Sequence, residues 1–82
     1  MRCYIYKSLK KADTYLYITQ EDDFASLPEP LLQLMGEMQK VLDLELSHDR
    51  QLARADVKEV MAQLQDRGFY LQMPPPDPAL LL

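Results

Sequence analysis

Ser8, His48 and the carboxylates Asp43 and Glu45 are the side chains that hydrolytic or acid–base chemistry would need here. A serine, an imidazole and an aspartate act as a triad only when the fold brings them together, and no spacing in this chain requires that. Asp43 and Glu45 stand two apart, which in a strand puts them on one face, where one carboxyl can hold up the pKa of the other. An exposed strand face is the plainer account of that pair. His48 follows a strand pattern beside Asp49 and reads as a surface residue. Cys3 falls in an apolar run and reads as a buried, inert thiol. The chain is therefore expected not to be an enzyme. A small enzyme built on Ser8, His48 or the Asp43/Glu45 pair stays as an alternative.

Binding chemistry is better represented. Residues 1–12 hold four basic and no acidic side chains, whereas the rest of the chain holds 5 basic and 13 acidic ones. Lys7, Lys10 and Lys11 cluster with Ser8 between the aromatic residues Tyr6 and Tyr15. A basic loop of this kind is either a solvated turn that protects a strand edge or a contact for an anionic partner. Lysines without arginine forks give weak specificity for phosphate or carboxylate. Arg50 is a secondary binding candidate. Arg50 and Arg54 can pair with Asp49 and Asp56, or reach an anion. Pro74-Pro75-Pro76 is either a ligand for an aromatic groove or a stiff exit that packs on the sheet edge and directs the tail; the second is preferred.

The elements that must hold these residues follow from residue type and period. Residues 2–7 and 14–19 are rich in aromatic and β-branched side chains and predict two strands. Ser8 to Asp13 joins them without an Asn-Gly or Asp-Gly pair, so the hairpin loop is longer than two residues. A short turn near 22–26, begun by Asp22 and Asp23, precedes a helix from about Pro28 to Met35, with Gly36 as its stop. Leu42, Leu44 and Leu46 alternate with Asp43 and Glu45, the period of a strand over 40–46. Val57, Val60, Met61 and Leu64 mark an amphipathic helix from about Arg54 to Arg67, ended by Gly68. Phe69 to Met73 is the last strand.

Alternation within the strands groups Tyr4 with Tyr6, Tyr15 with Tyr17, and Tyr70 with Gln72. Without a bulge, all five tyrosines can share one face of the sheet. Covered by a helix, that face is core with hydroxyls at its rim. Left open, it would stack nucleobases.

Composition narrows the classes further. Eighty-two residues make one small domain, with 48% apolar and 27% charged side chains and a net charge of −4. That charge argues against a broad nucleic-acid surface. Two glycines exclude a phosphate-cradling loop, and one cysteine with one histidine leaves neither a disulfide framework nor a zinc quartet. No apolar run reaches membrane-spanning length, and lysines interrupt any signal-like start. A cytoplasmic protein without cofactor or metal is expected.

The ordered set Tyr6-Lys7-Ser8, Lys11, Thr14-Tyr15-Leu16-Tyr17, Asp23-Phe24, Leu27-Pro28-Glu29, Arg50, Leu52, Ala55-Asp56-Val57 and Gly68-Phe69-Tyr70-Leu71-Gln72-Met73 resembles the YcgL-domain family of small proteobacterial proteins. The likeness covers residues 1–76, with 77–82 as a tail. It implies an α/β/α sandwich with a sheet between helical layers. The element order β-β-α-β-α-β, an α+β chain with a sheet of roughly four strands, agrees with that. The resemblance implies no reaction, cofactor or ligand. Genes of the family sometimes neighbour ribonuclease D genes, which points toward RNA metabolism. The expected function is an interaction module that binds a protein partner through the basic hairpin (Tyr6, Lys7, Ser8, Lys10, Lys11, Tyr15). RNA binding is the alternative, and a dimer paired through a strand edge is a third.

Overall fold

The computed structural model describes residues 1–52 and 55–74. Two aromatic-rich runs form the centre of a sheet: β1 (Arg2–Ser8) and β2 (Tyr15–Ile18). They pair antiparallel, with Tyr6 opposite Leu16 and Ile5 opposite Tyr17. The first helix, α1 (Glu29–Met35), begins after Pro28 and carries Pro30 in its first turn, where a missing N–H costs nothing. Gly36 ends it at φ 60°, a conformation that suits glycine.

Strand β3 (Met38–Glu45) lies against the outer edge of β1. It starts two residues earlier than the leucine alternation predicts, because Met38 and Gln39 extend the ladder opposite Ser8 and Lys7. A register shift places Leu42 opposite Ile5 but Lys40 opposite Tyr6, so Val41 is an extra, bulged residue.

The second helix, α2 (Val57–Arg67), starts later than the predicted Arg54, which lies outside the described residues. The cap sets the start. Asp56 has extended backbone, and its carboxylate accepts the Lys58 N–H at 2.9 Å. Gly68, at φ 82°, closes the helix with its N–H on the Leu64 carbonyl. Strand β4 (Phe69–Gln72) pairs with β2 and ends one residue before the predicted Met73. The sheet order is β3-β1-β2-β4, antiparallel throughout.

Each helix covers one face. Tyr6, Leu16 and Ile18 pack with Leu27, Leu31 and Met35 on the α1 face. Cys3, Ile5, Tyr17 and Leu46 pack with Val57, Val60 and Leu64 on the α2 face. This is the expected α/β/α sandwich.

The tyrosines do not share a face. Tyr4 and Tyr6 lie on the α1 side, while Tyr15, Tyr17 and Tyr70 lie on the α2 side. The cause is register. Residues directly opposite across a ladder point the same way, and Tyr6 faces Leu16 rather than a tyrosine. Tyr17 and Tyr70 meet edge to face at 5.5 Å, and Tyr6 meets Phe24 likewise at 5.0 Å. An open aromatic platform for bases is therefore not formed.

Candidate functional site

The basic hairpin divides into fold-building and solvent-facing residues. Ser8 is buried on the α1 face. Its hydroxyl donates to the Met35 carbonyl at the end of α1 and accepts the backbone N–H groups of Lys10 and Lys11 at 3.1 and 2.9 Å. Ser8 thus fixes the loop Leu9–Thr14 to the helix end, and its bonding capacity is used. Lys10 lays its stem against Gly36 and reaches the Gln33 carbonyl at 3.2 Å. Tyr6 is buried, and its hydroxyl donates to the Asp22 carboxylate at 2.9 Å while accepting the Asp22 N–H at 2.8 Å. Asp22 holds a left-handed turn at φ 59°, in the short turn expected before α1. Tyr6, Ser8 and Lys10 serve the fold.

Lys7 and Lys11 are exposed. Lys7 projects from the α2 face, in a row formed by Gln39, Lys7, Tyr15 and Gln72. Tyr15, half-buried, lies beside it. Arg50 is exposed in the loop after β3, at the end of the sheet remote from the hairpin. The predicted binding set is therefore not one cluster.

The groups offered for catalysis do not converge either. Ser8 and His48 lie near opposite ends of β3, about 20 Å apart by strand rise. Asp43 is paired with Arg2, and Glu45 with the amino group of Met1 at 2.9 Å. Among the described residues, no group of three or more His, Cys, Asp or Glu is placed to hold a metal ion.

A mostly apolar groove of about 300 Å³ on the α2 face is a concave feature that the sequence did not reveal, beside a polar hollow of about 350 Å³ around His48, Asp49 and Arg50. The groove is lined by Ile5, Tyr15, Tyr17, Leu42, Leu44 and Leu52, with Val41 at the sheet edge. Asp13 and Gln72 stand at the hairpin end, and the Tyr17 hydroxyl donates to the Gln72 side-chain carbonyl at 2.9 Å. β3 ends at Glu45 and β4 begins at Phe69 at the sheet end remote from the hairpin, so the chain enters and leaves α2 from that end, and Val57, Val60 and Leu64 cover Cys3 and Leu46 there. Leu42, in line with Ile5, is left 43% exposed, and the bulged Val41 is 44% exposed.

The closed end of the same face is strongly desolvated. Burial pushes the Cys3 thiol up to about 11. Burial likewise raises the Tyr17 and Tyr70 hydroxyls above their ordinary range, and on the α1 face that of Tyr6. Each group is neutral in the fold and ionises more readily once unfolded. The Cys3 contribution is whole below about pH 9 and is lost as pH rises toward 11, and the tyrosines act in the same direction. Urea midpoints are expected to fall between pH 9 and 11, less steeply in Cys3→Val. A flat profile over that range would contradict the burial of Cys3.

A family model for the YcgL domain matches residues 3–75. The chain belongs to the YcgL-domain family. It is 47% identical over 81 residues to a YcgL domain-containing protein of Shewanella denitrificans, covering 99% of this chain and 85% of that one. It is 49% identical to one from Proteus mirabilis, covering 99% and 84%. It is 46% identical to one from Pectobacterium atrosepticum, covering 99% and 95%. These names state a domain and no activity. No helix among the described residues is long and apolar enough to cross a membrane.

Proposed function

We propose that this YcgL domain is a non-enzymatic interaction module that takes a short segment of a protein partner into the α2-face groove. The observation that carries this reading is the apolar hollow floored by Ile5, Tyr15 and Tyr17 and edged by the exposed Val41 and Leu42, on the face from which Lys7 projects. The hairpin keeps its part in binding through Lys7, Lys11 and Tyr15, not through its whole length. Lys7, two residues on from Ile5 in β1, projects from the groove side, and Asp13 lines the groove at the same end. The fitting partner segment carries two or three apolar side chains next to a carboxylate. A groove of this size suits side chains of that kind rather than a stack of bases.

Selection of 12-residue peptides displayed on phage, with the full chain as bait, tests this. Enriched peptides are expected to share an acidic residue followed by Leu, Ile or Phe. Leu42→Asp is expected to weaken their binding at least 30-fold with little change in stability, since Leu42 is already 43% exposed. Lys7→Glu is expected to cost about 3–10-fold, more at low salt. Short single-stranded RNA at low salt is expected to leave the groove amides unshifted. Peptides that bind both variants as well as the native chain would remove the groove from its role.

A further inference from the structure

Strand β3 is the long edge of the sheet. The order β3-β1-β2-β4 leaves two edges, and β4 offers four residues against eight in β3. Gln39, Lys40, Val41 and Leu42 are exposed in succession. Among the described residues, no backbone hydrogen bond outside the helices and strands involves residues 39–44. An uncovered edge is a template for another strand. We propose that β3 pairs antiparallel with β3 of a second copy, about a two-fold axis at Leu42, through two Lys40–Asp43 ion pairs.

The bulge sets the register. Along β1, Lys40 stands level with Tyr6, Leu42 with Ile5 and Asp43 with Tyr4. Lys40 and Asp43 are therefore one step to either side of Leu42, on the α1 face with Tyr4 and Tyr6. A two-fold axis normal to the sheet keeps each face on its own side and reverses the strand. Leu42 then meets its own copy on the α2 face. Lys40 stands directly opposite Asp43 of the second copy, and Asp43 opposite its Lys40. The next positions bring Gln39 against Leu44 and Met38 against Glu45, so no like charges meet. Without the extra residue Val41, Lys40 would fall opposite Leu44 and Asp43 opposite Val41, and no charges would pair.

The flanking charges extend the match. Within one chain Lys40 pairs with Glu21, and Asp43 with Arg2. The dimer lines up Glu21, Lys40, Asp43 and Arg2 in alternating sign across each half of the seam. A contact one strand wide is small, so the dimer belongs to the weak, reversible class. It does not rest on the groove reading, because the pairing charges lie on the opposite face of the sheet.

Sedimentation of the full chain tests this. The native chain is expected to pass from monomer to dimer as concentration rises into the millimolar range, less so at high salt. Lys40→Asp makes the pairing strand acidic, and Asp43→Lys makes it basic. Each change turns both ion pairs into like-charge contacts and is expected to weaken the dimer about tenfold. An equimolar mixture of the two variants restores both pairs and is expected to dimerise as well as the native chain. Both variants are expected to keep the native amide pattern in α2 and β4. A native chain that stays monomeric would overturn the proposal. So would variants that dimerise like the native chain, or a mixture of folded variants that stays monomeric. A chain that dimerises in this way but binds no selected peptide would support the seam and refute the groove reading alone.

Discussion

Leu16→Ala is expected to lower stability by about 3 kcal/mol, the cost of removing a fully enclosed leucine from a site with little room to collapse. Leu16 is 0% exposed and lies between Tyr6 on one neighbouring strand and Leu71 on the other. It packs toward Leu27, Leu31 and Met35, so it joins the sheet to α1. A chain of this length holds roughly 4–12 kcal/mol in total, so the substitution takes a large share. The urea midpoint is expected to fall by about 2–3 M. A fall below about 0.5 M would mean that the α1 face is not the tight core described here.

Ser8→Ala is expected to cost about 2 kcal/mol, a large effect for deleting one hydroxyl. Three hydrogen bonds depend on it: one to the Met35 carbonyl and two from the Lys10 and Lys11 amides. Leaving those groups without partners costs more than the bonds contribute net. The loop Leu9–Thr14 loses its tie to α1, so the Lys10 and Lys11 amides are expected to exchange faster with solvent, while those of β4 do not. A serine-directed fluorophosphonate is expected to leave the native chain unlabelled. Labelling of Ser8, or a variant as stable as the native chain, would return Ser8 to the list of reactive groups.

Much of the fold is legible because local and global preferences agree. Tyr-Ile-Tyr and Tyr-Leu-Tyr-Ile favour strands on residue type alone, and the Val57–Leu64 spacing favours a helix. Gly36 and Gly68 punctuate both helices where positive φ is required. The relation between strands is what the residues do not state. A six-residue hairpin loop does not fix register, and one residue of register decides whether Tyr15 sits with Tyr6 or with Ile5. Residue type alone leaves the tyrosine faces open, and the strand pairing decides them.

The site is hidden for a related reason. Leu42 reads as one member of a Leu42-Leu44-Leu46 core stripe, and Leu46 is indeed buried at 1% exposure. Leu42 stands on an edge strand next to the bulge at Val41, away from the α2 residues that cover Leu46, and neither circumstance leaves a mark in the alternation. Ser8 carried a faint signal: a serine closing a strand before a polar loop commonly bonds the amides two and three residues on.

The most direct measurement is the amide spectrum of the full chain on adding a selected acidic–apolar peptide. The largest shifts are expected at Ile5, Lys7, Tyr15, Tyr17, Leu42 and Leu44, with the α1-face residues Leu16, Leu31 and Met35 unmoved. Shifts centred instead on α1, on Lys10 and Lys11, or on Arg50 would contradict the groove as the binding surface of this YcgL domain.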